Sequence, residues 1–477
     1  MDKEFVPMHR QDSAEEGGFC LEDVGSEVKM GEDNLDNWGS LPNVCLQHVF
    51  RFLHDHDRMN ADMVCHHWHN VMRSPALWRS RFFHFSGRLS KFRQSEHSYA
   101  VTYVRYLGVH LERLEVFVCP PRKFLVAQRL ARTINGLFSE LTRVKAPLRS
   151  LSLVRLELDR RAWTLGHRSS LVNNLILFLR RGASKLTSVH LSRMRNSMEQ
   201  GLMLLSALSH YQRCFHSQRC LSSLHLVGFF SGSVHAYLSS NIPSVLVQLR
   251  DLTNLSLSYS CLSDELLTAL QRRHRERWQN SSRDGSPLQT ISLHCTLDEP
   301  HQQVVSGDSW AALASRCPDL KVMLTVDQVI NPDHLARILL REIPLTEYTM
   351  TAFYSPNEDW SATPLLCNML PHYRWSLQYL TLNLSNCSES LDEELLELVE
   401  VCERLEDLRL WAFLDIRTVE KLLQIRLARR SLLNMIRVRI YSINNTIEQE
   451  DQLKEILSSY PILPPELNFF AIIFPFV

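Results

Sequence analysis

The sequence has few glycines and lacks the short motifs that accompany common catalytic sites. Among its 477 residues only 15 are glycine. It contains no GxxxxGK[ST] phosphate loop, no GxSxG elbow, no HExxH pair and no glycine-rich dinucleotide turn. None of its 12 cysteines stands in a signature context for a catalytic thiol. We therefore expect a non-catalytic protein that uses no cofactor.

The sequence also lacks a long apolar run. Its first residues, MDKEFVPMHRQDSAEE, combine neither a basic start nor an apolar stretch, and no uncharged segment long enough to cross a bilayer follows. The cysteines form no CxxC pair, which favours reduced thiols over a disulfide framework. These absences predict a cytoplasmic and/or nuclear protein that does not enter a membrane.

The charges balance in number but not in position. Lys and Arg total 52, as do Asp and Glu, and the hydrophobic content of 45% is typical of a folded protein. Residues 1–37 are acidic and have few large apolar side chains, so we expect a disordered tail. Residues 73–195 are rich in arginine, and residues 389–420 are acidic again.

Ordered structure is predicted to begin near Trp38 with three short amphipathic helices over residues 38–84. The segment LPNVCLQHVFRFL carries one apolar helical face, DRMNADMVCHHWHNVM carries a second, and Ser74-Pro75 starts a third that includes Leu77 and Trp78. About 40 residues make a small core, because a short chain buries little surface. Such a unit needs support from a partner or from the next domain.

Residues 85–466 contain repeated LxxLxL segments. Clear copies begin at Leu111, Leu148, Leu186, Leu221, Leu252, Leu288, Leu377 and Leu405, with weaker copies near Leu320, Leu345 and Met435. Alternating leucines predict short parallel strands, and the segments between them have helical periodicity, with Ser263 and Asp392 as predicted N-caps. The sequence thus predicts an α/β solenoid of parallel strands and helices.

Two segments depart from this repeat. QRRHRERWQNSSRDGSP, residues 271–287, is polar, basic and rich in turn residues, which predicts a flexible projecting loop. Residues 467–477 are strongly apolar, and we expect them to cap the last repeat or to fold back along the array, because an exposed segment of this kind promotes aggregation.

The order and spacing of these features resemble F-box proteins with leucine-rich repeats. The resemblance rests on Leu41-Pro42, the apolar helix to Leu53, the segment from Val64 to Trp68, and Leu77-Trp78, and it extends to FSGR, LARILLREIP, SLDEEL and WAFLD further along the chain. The sequence departs from the common F-box pattern at Val44 and at His66-His67, outside the apolar face.

The resemblance implies the substrate-recognition subunit of an SCF (Skp adaptor, cullin, F-box) ubiquitin ligase. The F-box would dock onto the Skp adaptor and through it onto a cullin, and the repeats would recruit protein substrates. The implied adaptor-binding residues are Leu41, Pro42, Cys45, Leu46, Val49, Phe50 and Leu53, and the implied F-box core is Val64, Trp68, Leu77 and Trp78. A repeat scaffold with a vestigial F-box, working outside the ligase, is the alternative.

Each predicted strand places one residue between its repeat leucines on the open face of the sheet. The candidate substrate face consists of Ser152, His190, His225, Ser256, Ser292, Thr381 and Arg409, with Glu115 at its start. Solvation alone explains polarity there, but the open face is also the usual binding surface of solenoids. His190, His225 and the nearby His294 form the least ordinary part of this face.

Two other binding chemistries are disfavoured. A zinc site from His54, His56, Cys65, His66, His67 and His69 is disfavoured because no CxxC or HxxxH pair aligns ligands on one helical face. Nucleic-acid binding by Arg93, Arg105, Arg113, Arg129, Arg132, Arg160 and Arg161 is disfavoured because no RNA- or DNA-binding module surrounds these arginines.

Overall fold

The structure is a computed structural model that describes most of the chain after residue 37. The described residues are 38, 41–53, 55–87, 94–181, 186–214, 221–249, 251–279, 288–299, 302–329, 331–352, 360–384, 386, 389–428, 430–442 and 446–475. The predicted acidic tail, residues 1–37, lies outside them.

The described residues divide into two compact units, with the boundary between Ser74 and Pro75. The described part of the first unit contains three helices: α1 (Asn43–Arg51), α2 (Asp55–Asp62) and α3 (His66–Met72). The predicted three-helix region, residues 38–84, therefore includes the first residues of the second unit, where a strand begins at Ser80.

Where the structure describes it, the second unit is built on one parallel sheet of 13 strands, in which every strand lies beside its neighbours in the chain. The strands are β1 (Ser80–Phe85), β2 (Arg113–Val118), β3 (Ser150–Val154), β4 (Ser188–His190), β5 (Ser223–Leu226), β6 (Asn254–Ser258), β7 (Thr290–Thr296), β8 (Lys321–Asp327), β9 (Leu345–Ala352), β10 (Tyr379–Leu384), β11 (Asp407–Ala412), β12 (Met435–Ser442) and β13 (Asn468–Pro475). This arrangement confirms the predicted α/β solenoid.

Helices connect most of the strands. They are α4 (Gln94–Leu107), α5 (Phe124–Arg143), α6 (Leu165–Arg181), α7 (Met198–Cys214), α8 (Asn241–Val247), α9 (Asp264–Gln279), α10 (Gly307–Arg316), α11 (Pro332–Ile338), α12 (Asp392–Val401), α13 (Ile416–Ala428) and α14 (Thr446–Ser458). Because connections between parallel neighbours are almost always right-handed, we expect α4 to α14 to lie on one face of the sheet. None of the described helices is both long enough and apolar enough to span a bilayer.

The repeat leucines fold this way because alternate residues of a strand point to opposite faces. In β6, Leu255 and Leu257 are buried against the helices, whereas Asn254 and Ser256 lie on the other face. The buried side chains form one continuous core from Phe83 to Ile473. The array is therefore stabilised along its whole length rather than at separate centres.

The weaker repeat copies are confirmed as β8, β9 and β12, but two strands escaped prediction. β1 has no LxxLxL segment, and β13 lies in the apolar segment for which we expected a cap. β13 pairs with β12 over eight residues as the last strand of the sheet, so this segment extends the sheet and does not cover its edge.

The loop predicted for residues 271–287 is wrong in its first half. Helix α9 continues through Gln279, and residues 280–287 lie outside the described residues. The segment QRRHRERWQ contains neither proline nor glycine and is rich in Arg, Gln and Glu, which have high helix propensity. Its polarity indicated a surface position but not a loop.

Short polar side chains connect successive repeats. The Asn386 amide nitrogen donates to the carbonyls of Glu389 and Phe413 at 2.8 and 3.0 Å, and its oxygen accepts from the Phe413 amide at 2.9 Å. Asn196 donates in the same way to the Phe229 carbonyl at 3.0 Å. Both asparagines are buried, so they satisfy backbone groups that water cannot reach.

The two predicted N-caps have different outcomes. Ser263 caps α9, since its hydroxyl accepts from the Leu266 amide at 3.2 Å, and this prediction is confirmed. The prediction for Asp392 is wrong: the N-cap of α12 is Leu391, and the Asp392 carboxylate accepts from the Asp415 amide at 2.9 Å in the next repeat. Asp392, in the first turn of α12, therefore accepts a hydrogen bond from the residue that precedes α13.

Candidate binding surfaces

Helix α1 has a buried side and an apolar side that faces solvent. Leu46 and Phe50 are fully buried in the small unit. Val44 is 77% exposed and Phe52, which follows the helix, is 75% exposed. Because monomeric proteins seldom leave clusters of large apolar side chains in water, this side of α1 is a candidate docking surface.

The buried side of α1 is held by contacts within the unit. The Phe50 ring meets the Trp68 ring edge-on at a centroid distance of 5.0 Å, and the Phe50 carbonyl accepts from the Arg58 guanidinium at 3.0 Å. The Cys65 thiol caps α3 by accepting from the Trp68 amide at 3.5 Å. These contacts hold α1 in place and leave its other side exposed.

The structure separates the predicted adaptor-binding residues into two groups. Pro42, Cys45 and Val49 are exposed, and Leu41 and Leu53 are half-buried. Leu46 and Phe50 are buried inside the unit. Sequence periodicity places residues on one helical face but does not say whether that face meets the unit's own core or solvent.

The predicted F-box core also needs correction. Trp68 packs inside the small unit as expected, but Val64 is 62% exposed in the turn before α3, beside the exposed Met63. Leu77 is buried and Trp78 is half-buried, yet both belong to the second unit. Val64 and Met63 therefore enlarge the exposed apolar surface of the small unit, together with Val44 and Phe52.

A row of neighbouring residues crosses the open face of the sheet. The histidine row, as we call it, consists of Glu115, Ser152, His190, His225, Ser256 and Ser292, which pair in register from β2 to β7, and it continues to Met323 and Glu347. Six of the predicted face residues, with Glu115 included, are thus adjacent in space.

Thr381 and Arg409 do not lie in this row. A bulge between Val322 and Met323 shifts the pairing of β8 with β9. Thr381 is aligned instead with a second row that runs from His294 on β7 through threonines of β8 and β9 to Arg409. The LxxLxL pattern cannot show this bulge, because the extra residue, Thr346, lies within β9 and only the pairing with β8 reveals it.

The three histidines singled out in the sequence meet on this face. The rings of His190 and His225 are 4.0 Å apart, and those of His225 and His294 are 6.2 Å apart. Burial, with the neighbouring imidazoles of His190 and His294, lowers the pKa of His225 to about 3. Burial also lowers the pKa of His190 and of His294. This histidine cluster is therefore neutral near pH 7 and can both donate and accept hydrogen bonds.

A cleft of about 610 Å³ adjoins the histidine cluster at the ends of the strands. One wall carries Arg195, whose guanidinium contacts the carboxylates of Asp298 at 3.0 Å and Asp159 at 3.7 Å. Glu299 accepts from the Ser260 hydroxyl at 2.9 Å, and burial raises the pKa of this carboxyl group. Among the charged residues that line the cleft, Arg195, Asp298 and Glu299 are therefore bonded to other side chains of the protein.

Near the C-terminal end of the sheet, Arg409 is fixed by its own strand. Its guanidinium donates to both carboxylate oxygens of Asp407, at 3.0 and 2.7 Å, and this hydrogen bonding raises the pKa of Arg409. Paired in this way, Arg409 is less available to a ligand than the sequence pattern suggested.

Several arginines of the basic stretch are paired with carboxylates. Arg105 and Arg143 both donate to Glu140, at 3.0 and 2.6 Å, and Arg160 is bonded to Glu157. Arg93 lies outside the described residues. Within the described part of the chain, no group of three or more His, Cys, Asp or Glu residues could hold a metal ion.

Comparison with known proteins shows what parts of the chain are similar to. Residues 38–84 match the F-box-like domain. The chain is similar to F-box/LRR-repeat protein 21 of Ovis aries, with 24% identity over 305 residues, which is 63% of this chain and 62% of the sheep protein. The Bos taurus protein of the same name is 24% identical over 302 residues, again 63% and 62% of the two chains.

A shorter match, 33% identical over 63 residues, links 13% of this chain to 14% of F-box/LRR-repeat protein 21 of Mus musculus. In the two longer matches the aligned region spans about 62% of the relatives' length. Three findings agree: the parallel-strand array, the F-box-like match and these similarities. Together they support the interpretation of this chain as an F-box protein with leucine-rich repeats.

Proposed function

We propose that this chain is the substrate-recognition subunit of an SCF ubiquitin ligase. The F-box-like domain docks onto a Skp adaptor, the adaptor connects it to a cullin, and the open face of the sheet holds protein substrates. The chain itself is non-catalytic and uses no cofactor in this proposal. Tethering raises the effective concentration of a substrate lysine near the ubiquitin thioester that another subunit carries.

One observation carries the proposal: a unit of three short helices leaves large apolar side chains in solvent. Val44, Phe52 and Met63 are each more than 70% exposed, and Val64 is 62% exposed. Burying them against the helices of a partner would release roughly 1.5–3 kcal/mol for each large side chain. A few such anchors supply most of the affinity of a helix-in-groove interface.

Capture of the adaptor tests this docking surface. Tagged chain is expressed in cells and the co-purified Skp adaptor and cullin are quantified, for wild type and for Val44→Asp/Phe52→Asp. We expect the double variant to lose both partners, because two buried carboxylates would lie against an apolar adaptor surface. Both substituted residues are exposed, so the melting temperature should hold.

The matched control is Leu165→Asp/Leu238→Asp, which places two carboxylates at exposed leucines of the second unit. This variant should capture the adaptor as the wild type does. Undiminished capture by Val44→Asp/Phe52→Asp would exclude the docking surface. Capture of the adaptor without cullin would favour a scaffold outside the ligase.

We further propose a cytoplasmic and/or nuclear location. The eight cysteines whose side chains are described are free thiols, which suits a reducing compartment. Imaging of the tagged chain in living cells tests this, and accumulation in the secretory pathway would contradict it.

We also propose a narrower relationship, to F-box only protein 39. Four segments carry it: FSGR at residues 85–88, LARILLREIP at 335–344, SLDEEL at 390–395 and WAFLD at 411–415. A full-length alignment that left these segments unmatched would contradict it.

A further inference from the structure

In the part of the chain that the structure describes, strand β13 is the last strand of the sheet. Within the described residues no strand pairs with its outer side. Its sequence, NFFAIIFP, contains no charged residue, and its only proline is the last residue, Pro475. Natural edge strands are usually protected by lysine, internal proline, bulges or shortness, because open amides invite another chain to pair. An eight-residue apolar edge is an exception that calls for a partner.

The direction of the backbone groups shows which amides are open. The Asn468 amide donates to the Asn434 carbonyl, ahead of β12, at 2.7 Å. Backbone groups of successive residues in a parallel strand point alternately to either side. Phe470, Ile472 and Phe474 therefore bond to β12, whereas Phe469, Ala471 and Ile473 direct their N–H and C=O groups outward.

The open face beside this edge combines arginines with apolar side chains. In register, Arg437 lies beside Phe470, Arg439 beside Ile472 and Tyr441 beside Phe474. The three β13 side chains are 46%, 40% and 51% exposed, respectively. We call these six side chains, Arg437, Arg439, Tyr441, Phe470, Ile472 and Phe474, the terminal face. The edge and the terminal face form one continuous surface.

The net charge of the terminal face is positive. Arg409 on β11 is neutralised by Asp407. Arg437 and Arg439 are exposed, and no carboxylate of the described residues forms a salt bridge with either. The Arg439 guanidinium lies 5.4 Å from the centre of the Trp411 ring, which positions it on the face without cancelling its charge.

We propose that an extended segment of a partner protein, with alternating acidic and apolar residues, pairs with β13 as an added strand. Its apolar side chains would continue the core beside Ile473. Its acidic side chains would lie on the open face, where their methylene groups cover Ile472 and their carboxylates approach Arg437 and Arg439. Two strand spacings, about 10 Å, separate the added strand from β12, a gap that Glu and Arg side chains span together.

A second copy of this chain fits the edge less well. β13 has no carboxylate to offer, so pairing two copies would leave both sets of arginines without partners. The proposal rests on the proposed function, since the added strand would belong to a substrate. Adaptor capture through Val44 and Phe52 concerns the other unit and stays informative if the edge proposal fails.

The test uses two fluorescein-labelled peptides, EVEVEVEV and KVKVKVKV, and fluorescence anisotropy with the full chain. We expect the glutamate peptide to bind and the lysine peptide to bind at least about tenfold more weakly. Arg437→Glu/Arg439→Glu should reverse this preference. Arg316→Glu/Arg337→Glu, a pair of exposed helix arginines, is the matched control and should preserve it.

Ala471→Pro tests the backbone pairing separately. Proline at this position removes an outward N–H but no bond to β12, and edge strands tolerate proline where the N–H faces solvent. We expect binding of EVEVEVEV to fall at least about tenfold while adaptor capture is unchanged. Equal binding of both peptides, absence of EVEVEVEV binding, or full binding by Ala471→Pro would overturn the proposal. A dimer that Ala471→Pro abolishes would instead assign the edge to a second copy.

Discussion

Replacing Asn386 by alanine should loosen the connection between two neighbouring repeats. The side chain makes three hydrogen bonds, two of them to the backbone of Phe413 in the next repeat. Each bond contributes about 1 kcal/mol net, and a buried backbone group left without a partner costs about 1–3 kcal/mol. Asn386 is buried, so water cannot replace its amide without a local rearrangement. The expected loss is about 2–4 kcal/mol.

Hydrogen exchange measured by mass spectrometry is the suitable assay, because a long repeat array need not unfold in one step. The peptide that contains the Phe413 amide should exchange roughly 30- to 1000-fold faster in Asn386→Ala than in wild type. Asn434→Ala, at an exposed asparagine beside β12, is the control and should exchange as wild type does. A change below about threefold at Phe413 would show that the asparagine does not hold the repeats together.

Three further predictions concern stability. Leu382→Ala, at a fully buried strand leucine, should cost about 2–5 kcal/mol in urea unfolding, whereas Leu165→Ala at an exposed leucine should cost under about 0.5 kcal/mol. Asp392→Ala removes the acceptor of the Asp415 amide and should lower the local stability at the start of α13 by about 1–2 kcal/mol. Hydrogen exchange at the start of α13 should therefore be faster in this variant, and unchanged exchange would contradict the role of Asp392. In the unfolded chain His225 has its ordinary pKa of 6.5, whereas burial lowers its pKa in the folded protein to about 3. Below pH 6.5 the unfolded state therefore binds a proton that the folded state does not, so the free energy of unfolding should fall as the pH drops from 6.5 towards 3. The urea midpoint of His225→Gln should accordingly fall less between pH 7 and pH 5 than that of wild type.

The sequence predicted the architecture because leucine spacing is a local signal. Each LxxLxL segment states which side of a strand is buried, and even the weaker copies at β8, β9 and β12 became strands. β1 and β13 escaped because terminal strands need not follow the repeat. Asn386 escaped too, since it stands one residue later than the Asn or Cys position of the common leucine-rich pattern.

The binding surfaces were only partly predictable, because exposure depends on tertiary packing. The pattern gathered the histidines of the open face correctly, and the structure places them in contact. It could not separate Leu46 and Phe50, which are buried inside the unit, from Cys45 and Val49, which are exposed, and it placed Val44 outside the apolar face. It placed Thr381 and Arg409 on the same face as the histidines but could not show that they lie in a second row, since only strand pairing reveals the bulge within β9.

The central claim is that the exposed side of α1 binds a Skp adaptor. The most direct measurement is the dissociation constant of purified adaptor for the full chain, compared between wild type and Phe52→Ala. Loss of a side chain that is 75% exposed in the free protein and buried in the complex should weaken binding about 10- to 100-fold, with the melting temperature unchanged. Equal affinity for wild type and Phe52→Ala, or no binding of the adaptor to either, would contradict the claim.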